Sequence, residues 1–521
     1  MIETLELNEQ FKKALDLMEN TNKSVFITGK AGTGKSTLLN YFRSITKKDI
    51  VVLAPTGVAA INIGGETIHS FFGFKPNVTI QNIKKLPSTQ AKIYKELDTI
   101  IIDEVSMVRA DLLDCIDYFL RLNGKKKRKP FGGIQMVFIG DLYQLPPVVT
   151  SLEKELFTKR YRSQYFFDAD VMNELQMEFI ELEKVYRQKD ERFITLLNEI
   201  RNNTVTEGSL ALLNSRVGAE FKDDSGYVVY LAPLNETVNR INKEKLDSLK
   251  GKLYIWEAEI KGDVDENSCP GDPVLFLKKG AQIMMLNNDN KGRWVNGSIG
   301  MVVGIESRDR GKDIIEVQFP DGRVEEVLPY TWEVFHYRYN DVKKMIETES
   351  IGSFTQYPLK LAWAVTIHKS QGKTFDKVII DLGRGVFAPG QVYVALSRCT
   401  SFEGIILKKP IKKGHIHLDR RIVEFLTRFQ YSISERDMPL KEKIELIEKA
   451  LREDLYLSIV YLKPNDEKSR RIIKPYEIGN FSYNGKEFLG LSAYCTKRKD
   501  ARIFRLDRIL EIRLVKGSDI Q

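Results

Sequence analysis

The chain has 521 residues, of which 42% are hydrophobic and 29% charged, and its 80 Lys and Arg exceed its 71 Asp and Glu to give a net charge of +9. The sequence has no apolar run of the roughly 18 residues that a membrane span needs, and its four cysteines form no C-x-x-C pair, which argues against a membrane protein, a disulfide framework and a cysteine zinc site. We therefore expect a cytoplasmic enzyme of about three or four domains, with a positive charge that suits a polyanionic partner.

Residues 24–39 carry the pattern of a phosphate-binding loop. The apolar run 24–28 is typical of a buried parallel strand, residues 29–36 read G-x-x-x-x-G-K-S, and a helical pattern follows. In such a loop the backbone N–H groups point at a phosphate, a Lys reaches the β- and γ-phosphates, and a Ser hydroxyl ligates Mg²⁺. The sequence therefore predicts ATP and Mg²⁺ as cofactors. The residues expected at the nucleotide are Gly32, Thr33, Gly34, Lys35, Ser36 and Thr37.

Two later apolar runs end in polar side chains that suit the same chemistry. Residues 99–102 lead into Asp103 and Glu104, which we expect to hold Mg²⁺ and to polarise the attacking water, respectively. Residues 135–139 lead into Gly140-Asp141-Leu142-Tyr143-Gln144-Leu145-Pro146-Pro147. We expect the amide of Gln144 to sense the γ-phosphate.

With these motifs in this order, the chain resembles the Pif-type DNA helicases of superfamily 1B, whose third motif is G-D-x-x-Q-L-P-P. The resemblance runs from about residue 7 to residue 410 and includes Pro130-Phe131-Gly132-Gly133-Ile134-Gln135, which is similar to the family's signature element. It implies an α/β fold with two RecA-like parallel-sheet motor domains at 1–178 and 179–410. It also implies a wedge insertion at about 66–96, an SH3-like β insertion at about 292–353, and an adenine contact from Gln10.

The resemblance further assigns two arginine fingers, which would stabilise charge on the γ-phosphate. Arg187 lies in the family's fourth motif and Arg398 in the sixth, Gln391-Val392-Tyr393-Val394-Ala395-Leu396-Ser397-Arg398. Taken alone, each arginine would more often belong to a surface ion pair; its place in a family motif favours the role of a finger. The expected catalytic set is Lys35, Glu104, Gln144, Arg187 and Arg398.

Contacts to single-stranded DNA are implied by three further motifs of the family. They supply hydroxyl, imidazole and ammonium groups for backbone phosphates and apolar faces for bases. The residues concerned are Pro55, Thr56, Gly57, His69, Phe71, Thr366, His368 and Lys369. For Phe71 and its neighbours a place in the hydrophobic core is an equal alternative, and His368 has a structural alternative.

The segment beyond residue 410 is not needed for a motor. We expect a helical linker at 411–450 and a small β-barrel at 451–521 that resembles a WYL domain of bacterial regulators, although Glu487-Phe488-Leu489 replaces the namesake tripeptide. A basic, partly aromatic pocket is expected from Tyr461, Arg471, Tyr476, Arg502 and Arg505. This pocket would take a nucleotide or a single strand; the alternative is a module that docks a protein.

Together these features predict a monomeric bacterial helicase that acts on single-stranded DNA and on duplex or forked DNA, with no membrane partner. The resemblance places it among families of DNA repair, recombination and telomere maintenance. Three alternatives remain open. One is a RecD-like subunit or a translocase that moves on DNA without separating strands, and another is a nucleotide-switched DNA-binding regulator. The third is an RNA helicase, which only the family resemblance disfavours.

Overall fold

The computed structural model describes residues 8–75, 78–149, 157, 160–221, 227–262, 264, 269–307, 313–340, 345–383, 385, 388–464, 468–483 and 485–515. Its contacts divide the chain into two compact units, one of residues 1–201 and 205–417 and one of residues 202–204 and 418–521. Within the described ranges, no helix is both long and apolar enough to cross a lipid bilayer.

The larger unit begins with a parallel α/β domain. Its helices are α1 Glu9–Asn20, α2 Lys35–Ile45, α3 Gly57–Asn62, α4 Ile68–Phe72, α5 Lys92–Glu96 and α6 Ala110–Asn123. Its strands are β1 Ser24–Gly29, β2 Ile50–Ala54, β3 Glu66–Thr67, β4 Thr99–Ile102, β5 Gln135–Ile139 and β6 Met177–Leu182. The strand order is β3-β2-β4-β5-β1-β6, and each neighbouring pair is parallel.

The order of these strands places the functional loops. All six residues of β1 are buried, because helices cover both faces of a parallel sheet. Strands β1, β4 and β5 end at the same edge, so the segments that follow them converge there. The predicted boundary after residue 178 falls inside β6, which pairs with β1 from Ser24 to Gly29. The first domain therefore extends through Leu182.

A second parallel sheet follows, interrupted by a long antiparallel insertion. The helices of this part are α7 Glu191–Arg201, α8 Glu207–Asn214, α9 Asn235–Ser248 and α10 Gln391–Leu396. The strands are β7 Val228–Ala232, β8 Tyr254–Glu257, β9 Glu259–Gly262, β10 Val274–Leu277, β11 Gln282–Met285, β12 Ile299–Glu306, β13 Ile314–Gln318, β14 Val324–Val327, β15 Tyr330–Asn340, β16 Met345–Gln356, β17 Leu359–Leu361, β18 Ala364–Thr366, β19 Lys377–Ile380 and β20 Ile405–Leu407.

The parallel sheet has the order β18-β7-β19-β20, and the insertion forms separate antiparallel sheets. Its main sheet has the order β14-β13-β12-β11-β17, with a turn at Asp321-Gly322 between β13 and β14. The segment Pro320-Asp321-Gly322 therefore lies in the turn of a hairpin. Antiparallel pairing also extends beyond residues 292–353, because β8 to β11 precede that range and β17 follows it.

The smaller unit contains two helices and an antiparallel sheet. Its elements are α11 Arg420–Asp437, α12 Leu440–Arg452, β21 Tyr456–Leu462, β22 Lys468–Tyr483, β23 Lys486–Cys495, β24 Asp500–Arg505 and β25 Ile509–Val515. The strand order is β24-β23-β22-β21-β25. Ile447 and Ala450 of α12 are buried in the core that the sheet forms, so this helix, expected in a linker, belongs to the unit's core.

The predicted fold class is confirmed: two parallel-sheet motor domains, an antiparallel insertion and a C-terminal β-rich module.

Candidate active site and nucleic-acid interface

The phosphate-binding loop lies between β1 and α2. Gly32 and Gly34 have φ of +81° and +85°, in the left-handed region that favours glycine. A Cβ at Gly32 would lie 2.6 Å from Cβ of Arg187, so this glycine also permits close approach. Ser36 and Thr37 are exposed in the first turn of α2, and the hydroxyl of Thr33 donates to the carbonyl of Lys30 at 2.9 Å. The loop thus has the conformation that phosphate binding requires.

Lys35 begins α2, and its ammonium group points back into the loop. Nζ donates to the carbonyl oxygens of Gly29 at 2.6 Å and Lys30 at 3.0 Å. Burial lowers the pKa of Lys35, and the charges of nearby carboxylates oppose this shift. Those carboxylates are Asp141, Glu104 and Asp103. A polyphosphate would add negative charge beside the same ammonium group.

Asp103 and Glu104 follow β4 at this cleft, where Asp103 is buried and Glu104 is half-buried. Burial and the charge of Glu104 raise the pKa of Asp103 to about 7. Burial also raises the pKa of Glu104, against the opposing charges of Lys35 and Arg398. A divalent cation would offset this burial of adjacent carboxylates, and carboxylate and hydroxyl oxygens are donors that Mg²⁺ accepts. Asp103 and Ser36 therefore fit a magnesium ion.

The segment after β5 contributes an amide and a fully buried carboxylate. Nε2 of Gln144 donates to Oδ2 of Asp141 at 3.4 Å, and Oε1 of Gln144 accepts from Nε2 of Gln371 at 3.4 Å. Gln371 follows β18 in the second domain. Gln144 thus contacts both motor domains, as expected of a side chain that senses the state of the cleft.

Both predicted arginine fingers lie in this interdomain region. Arg398 is 1% exposed, and its guanidinium donates to Ser397 Oγ at 2.9 Å and to the carbonyl of Val394 at 3.0 Å. Burial and the charge of Arg187 lower the pKa of Arg398 to about 9. Arg187 donates to the carbonyl of Ser397 at 3.2 Å. Neither arginine forms an ion pair with another residue in the part of the chain that the structure describes.

Arg187 belongs to the connection between the domains and does not come from the second sheet. It follows β6 by a few residues, and the N–H of Tyr186 donates to the carbonyl of Gly32 at 2.8 Å. The phosphate loop is therefore contacted by the first residues of the connection.

Three cleft residues have no role in the sequence-based prediction, although two lie within quoted motifs. The carboxylate of Asp141 forms an ion pair with Arg201 at 3.3 Å, with both side chains almost fully buried. The hydroxyl of Tyr393 lies between Asp141 and the phosphate loop. Asp141 and Tyr393 could have been found from their positions within the quoted motifs. Arg201, in α7, lies in no motif, so no local sequence pattern indicates its role.

Gln10 lies where the resemblance expects the adenine contact. Its Oε1 accepts from the backbone N–H of Glu183 at 3.2 Å. The neighbouring Asn8 caps α1 by accepting from Phe11 N at 2.9 Å, and its amide donates to the hydroxyl of Tyr186 at 3.4 Å. Tyr186 is 46% exposed, so an aromatic face is available beside the loop.

Of the DNA residues expected in the first domain, the polar ones lie at helix starts. Thr56, between Pro55 and Gly57 after β2, is exposed and caps α3 by accepting from Ala59 N at 3.3 Å. His69 lies in α4 and is half-buried, and burial lowers its pKa.

Phe71 has a different environment from the one that base stacking requires. It is 5% exposed, and its ring packs edge to face against Phe72 and Tyr94 at centroid distances of 4.9 and 5.4 Å. Phe119 of α6 completes the cluster. The core alternative therefore describes Phe71 in this structure, because the aromatic rings of the wedge region pack together and against α6.

In the second domain two of the three expected residues, Thr366 and Lys369, line a cleft. Thr366 is 4% exposed and accepts from Lys369 N at 3.2 Å, Lys369 is exposed, and His368 is half-buried with its pKa lowered by burial. A cleft of about 500 Å³ is lined by Asn235, Asn239, Lys243, Lys360, Thr366 and Lys369, among others. Burial and the charge of Lys369 lower the pKa of Lys360 to about 8. The sequence-based prediction omits Lys360 and the asparagines of α9.

In the smaller unit, three of the five expected pocket residues meet. Tyr461, Arg471 and Arg502 line a cleft of about 480 Å³ together with Lys463, Arg498, Ile503 and Phe504. Arg505 lies outside this lining and pairs with Asp507 at 2.6 Å. Tyr476 is 54% exposed and also lies outside it. The predicted pocket is therefore corrected, since Lys463, which follows β21, and Arg498, in the turn between β23 and β24, line it in place of these two.

Two family models match the chain. One, described as PIF1-like helicase, matches residues 6–209, and the other, described as WYL domain, matches residues 442–514.

Among curated relatives, the human protein named ATP-dependent DNA helicase PIF1 is 36% identical over 394 residues, which are 74% of this chain and 58% of the human protein. The Bdellovibrio bacteriovorus protein named ATP-dependent DNA helicase Pif1 is 31% identical over 440 residues, which are 82% of this chain and 93% of that protein. The chain thus spans less than two thirds of the human relative and nearly all of the bacterial one.

Among solved structures, Bacteroides sp Pif1 in complex with ADP-AlF4 matches with a TM-score of 0.74 and 38% identity, covering 82% of this chain and 98% of that one. Bacteroides Pif1 bound to ssDNA matches with a TM-score of 0.60 and 39% identity, with the same coverage.

Proposed function

Because this chain belongs to the PIF1-like helicase family, we propose that it is an ATP-dependent DNA helicase that moves 5′-to-3′ on single-stranded DNA and separates duplex DNA. The direction of movement rests on the family resemblance.

One observation carries the proposal: the phosphate-binding loop of the first domain and Arg398 of the second face a common cleft. The N–H of Ala31 in the loop reaches Tyr393 of α10 at 2.9 Å, and Arg398 lies close enough to Glu104 for their charges to affect each other. A triphosphate in this cleft would contact both domains, so its hydrolysis would change how they close. Such closure is how a nucleotide drives mechanical steps.

The roles follow from the positions of the groups. Lys35 would hold the phosphates, Glu104 would polarise the attacking water, and Gln144 would sense the γ-phosphate. Arg187 and Arg398 would stabilise the transition-state charge, while Ser36 and Asp103 would hold Mg²⁺. Gln10, with Tyr186 beside it, would contact the adenine.

Single-stranded DNA would bind along the carboxyl ends of the strands. The basic cleft of Lys360 and Lys369 offers ammonium groups for backbone phosphates, and Thr56 and His69 offer polar groups in the first domain. The structure of Bacteroides Pif1 bound to ssDNA supports this ligand. Duplex or forked DNA would meet the wedge region of residues 66–96. We place the protein in the bacterial cytoplasm as a monomer, with the bacterial relative and the WYL match as support.

The decisive experiment is ATP-dependent unwinding of two matched duplexes, one with a 5′ single-stranded tail and one with a 3′ tail. Opening of the 5′-tailed substrate alone is the expected result. Opening of the 3′-tailed substrate alone would refute the direction but not the ATP site. DNA-stimulated hydrolysis without opening of either duplex would support a translocase, and slow hydrolysis without directional movement would support a nucleotide switch.

The tail is proposed to bind a single strand or a nucleotide in the cleft of Tyr461, Arg471 and Arg502. Arginines beside aromatic rings suit phosphates and bases. The double variant Arg471→Ala, Arg502→Ala should weaken single-strand binding by about tenfold. Each lost phosphate contact reduces the number of counterions that the strand releases on binding. Arg505→Ala is the matched control, because Arg505 pairs with Asp507 outside the cleft. Unchanged binding by the double variant would favour the protein-docking alternative.

A further inference from the structure

The hydroxyl of Tyr393 joins the phosphate-binding loop to a buried carboxylate. It accepts a hydrogen bond from the backbone N–H of Ala31 at 2.9 Å and donates one to Oδ2 of Asp141 at 3.3 Å. Tyr393 is 4% exposed, and burial together with the charge of Asp141 raises the pKa of its hydroxyl. The hydroxyl therefore stays protonated at neutral pH and can serve as donor and acceptor at once.

These contacts cross from one motor domain to the other. Ala31 and Asp141 belong to the first domain, whereas Tyr393 lies in α10 of the second. Helix α7 packs against α10 and carries Arg201. Nη2 of Arg201 lies 3.3 Å from Oδ1 of Asp141, the oxygen that Tyr393 does not contact. The guanidinium carbon of Arg201 lies 3.7 Å from the ring centre of Tyr143. Asp141 is thus held by two side chains from beyond its own sheet.

The backbone keeps this arrangement tight. Gly390, which precedes α10, has φ of +76°, and a Cβ there would lie 2.4 Å from the carbonyl oxygen of Tyr143 and 2.5 Å from that of Gln144. The start of α10 therefore lies directly on the segment that carries Asp141 and Gln144. A movement of Tyr393 would therefore also displace the segment that carries Asp141 and Gln144.

Backbone N–H groups of a phosphate-binding loop are aimed at the phosphates of the nucleotide. The N–H of Ala31 is therefore a donor for which Tyr393 and a bound triphosphate would compete. We propose that Tyr393 is a positioning residue that senses the terminal phosphate, exchanging its hydrogen bonds when that phosphate binds and so changing the hold of the second domain on Asp141. This inference rests on the proposed function, since it requires that the loop binds ATP.

The test compares affinities for a triphosphate and a diphosphate. Tyr393→Phe keeps the ring and removes the hydroxyl, so we expect the preference for AMP-PNP over ADP, measured with Mg²⁺, to change by about tenfold, the size of a hydrogen bond to a charged group. The affinity for ADP should stay within about twofold. Tyr357→Phe is the matched control, because it removes a buried hydroxyl that donates to the carbonyl of Asp313 in the insertion, at 2.6 Å.

A second measurement leaves the hydroxyl in place. With 3-fluorotyrosine at position 393 alone, the fluorine resonance should shift with AMP-PNP and much less with ADP. An equal change in both affinities for Tyr393→Phe, no change in either, or identical resonances in the two complexes would overturn the inference. Failure of the unaltered protein to bind either nucleotide would instead refute the proposed function itself, and the inference with it.

Discussion

At the scale of single residues, burial gives several charged side chains of the cleft an altered acidity. Lys35, Asp103 and Glu104 lie in surroundings that penalise their charges. The charge of Lys35 and those of the two carboxylates partly offset each other, whereas the charge of Glu104 adds to the penalty on Asp103. A metal-bound triphosphate brings both signs of charge into this space. A bound ligand of this kind would therefore lower the free-energy cost of the buried charges in the cleft.

Lys35→Ala removes the ammonium group that the loop aims at the phosphates. We expect ATP turnover to fall by at least about 10²–10³-fold, the range found when a donor to transition-state charge is lost. Single-strand binding should remain measurable, because the proposed DNA contacts lie on other segments. Steady-state hydrolysis and fluorescence anisotropy with labelled DNA check both points. Lys47→Ala, at an exposed lysine, is the control, and normal turnover by Lys35→Ala would refute the assignment.

Lys360 should make single-strand binding depend on pH. Its pKa is lowered to about 8 by burial and by Lys369, and a DNA phosphate would favour the charged form and raise that value. Affinity should therefore be constant below about pH 8 and fall above it, by up to about tenfold per pH unit, since binding then requires proton uptake. Lys360→Met should lose this dependence between about pH 7 and pH 9.5 at fixed ionic strength. The same pH profile in the variant would exclude Lys360 from the DNA path.

At the scale of elements, Gly390 allows the start of α10 to pack closely against the segment after β5. Gly390→Ala places a Cβ against two carbonyl oxygens in a left-handed backbone conformation. We expect a loss of about 1–3 kcal/mol in the free energy of unfolding and a reduced rate of DNA-stimulated hydrolysis. Urea unfolding and an ATPase assay measure these effects.

Gly414→Ala is the comparison for that variant. A Cβ at Gly414 has open space around it, so its stability should stay within about 0.5 kcal/mol of the original protein. Equal stability and equal turnover of the two variants would show that the close packing of α10 is not needed for folding or for hydrolysis.

The wedge region shares an aromatic core with α6. Rings of Phe71, Phe72, Tyr94 and Phe119 lie at centroid distances between 4.8 and 6.0 Å, and the hydroxyl of Tyr94 donates to the carbonyl of Phe71 at 2.8 Å. Such a cluster makes a short insertion stiff. Stiffness is what an element needs if it is to meet the end of a duplex without yielding.

At the scale of the whole molecule, each of the two units has a core of its own. The tail's core includes Leu457, Ile459, Ile473 and Leu491. Removal of residues 418–521 should therefore leave a folded motor that hydrolyses ATP with DNA stimulation. Its affinity for single-stranded DNA should fall by about tenfold and depend less steeply on salt, because the lost cleft is basic. Thermal melting and salt-dependent anisotropy measure this, and an unfolded product would mean that the motor requires the tail.

Much of the nucleotide site could be predicted from short stretches of sequence. Gly32, Lys35, Ser36, Asp103 and Glu104 lie next to strands whose apolar runs are continuous, and a parallel sheet brings the ends of such strands together. The resemblance added Arg187, Arg398 and Gln10. The predicted boundary after residue 178 falls inside β6, because the mixed polar and apolar sequence of β6 does not reveal which sheet it joins.

The sequence by itself determined the chemistry of each loop and the family. It could do so because the groups of a phosphate loop, or of a loop at a strand end, lie a few residues apart and are positioned by their own segment. Only the tertiary structure decided which distant groups meet. Ala31, Asp141, Arg201 and Tyr393 converge from positions up to 362 residues apart, Phe71 turns into a core, and Lys463 and Arg498 replace Tyr476 and Arg505 in the tail cleft. Such contacts depend on strand order, register and domain packing, and these are set by the burial of the whole chain and not by any one segment.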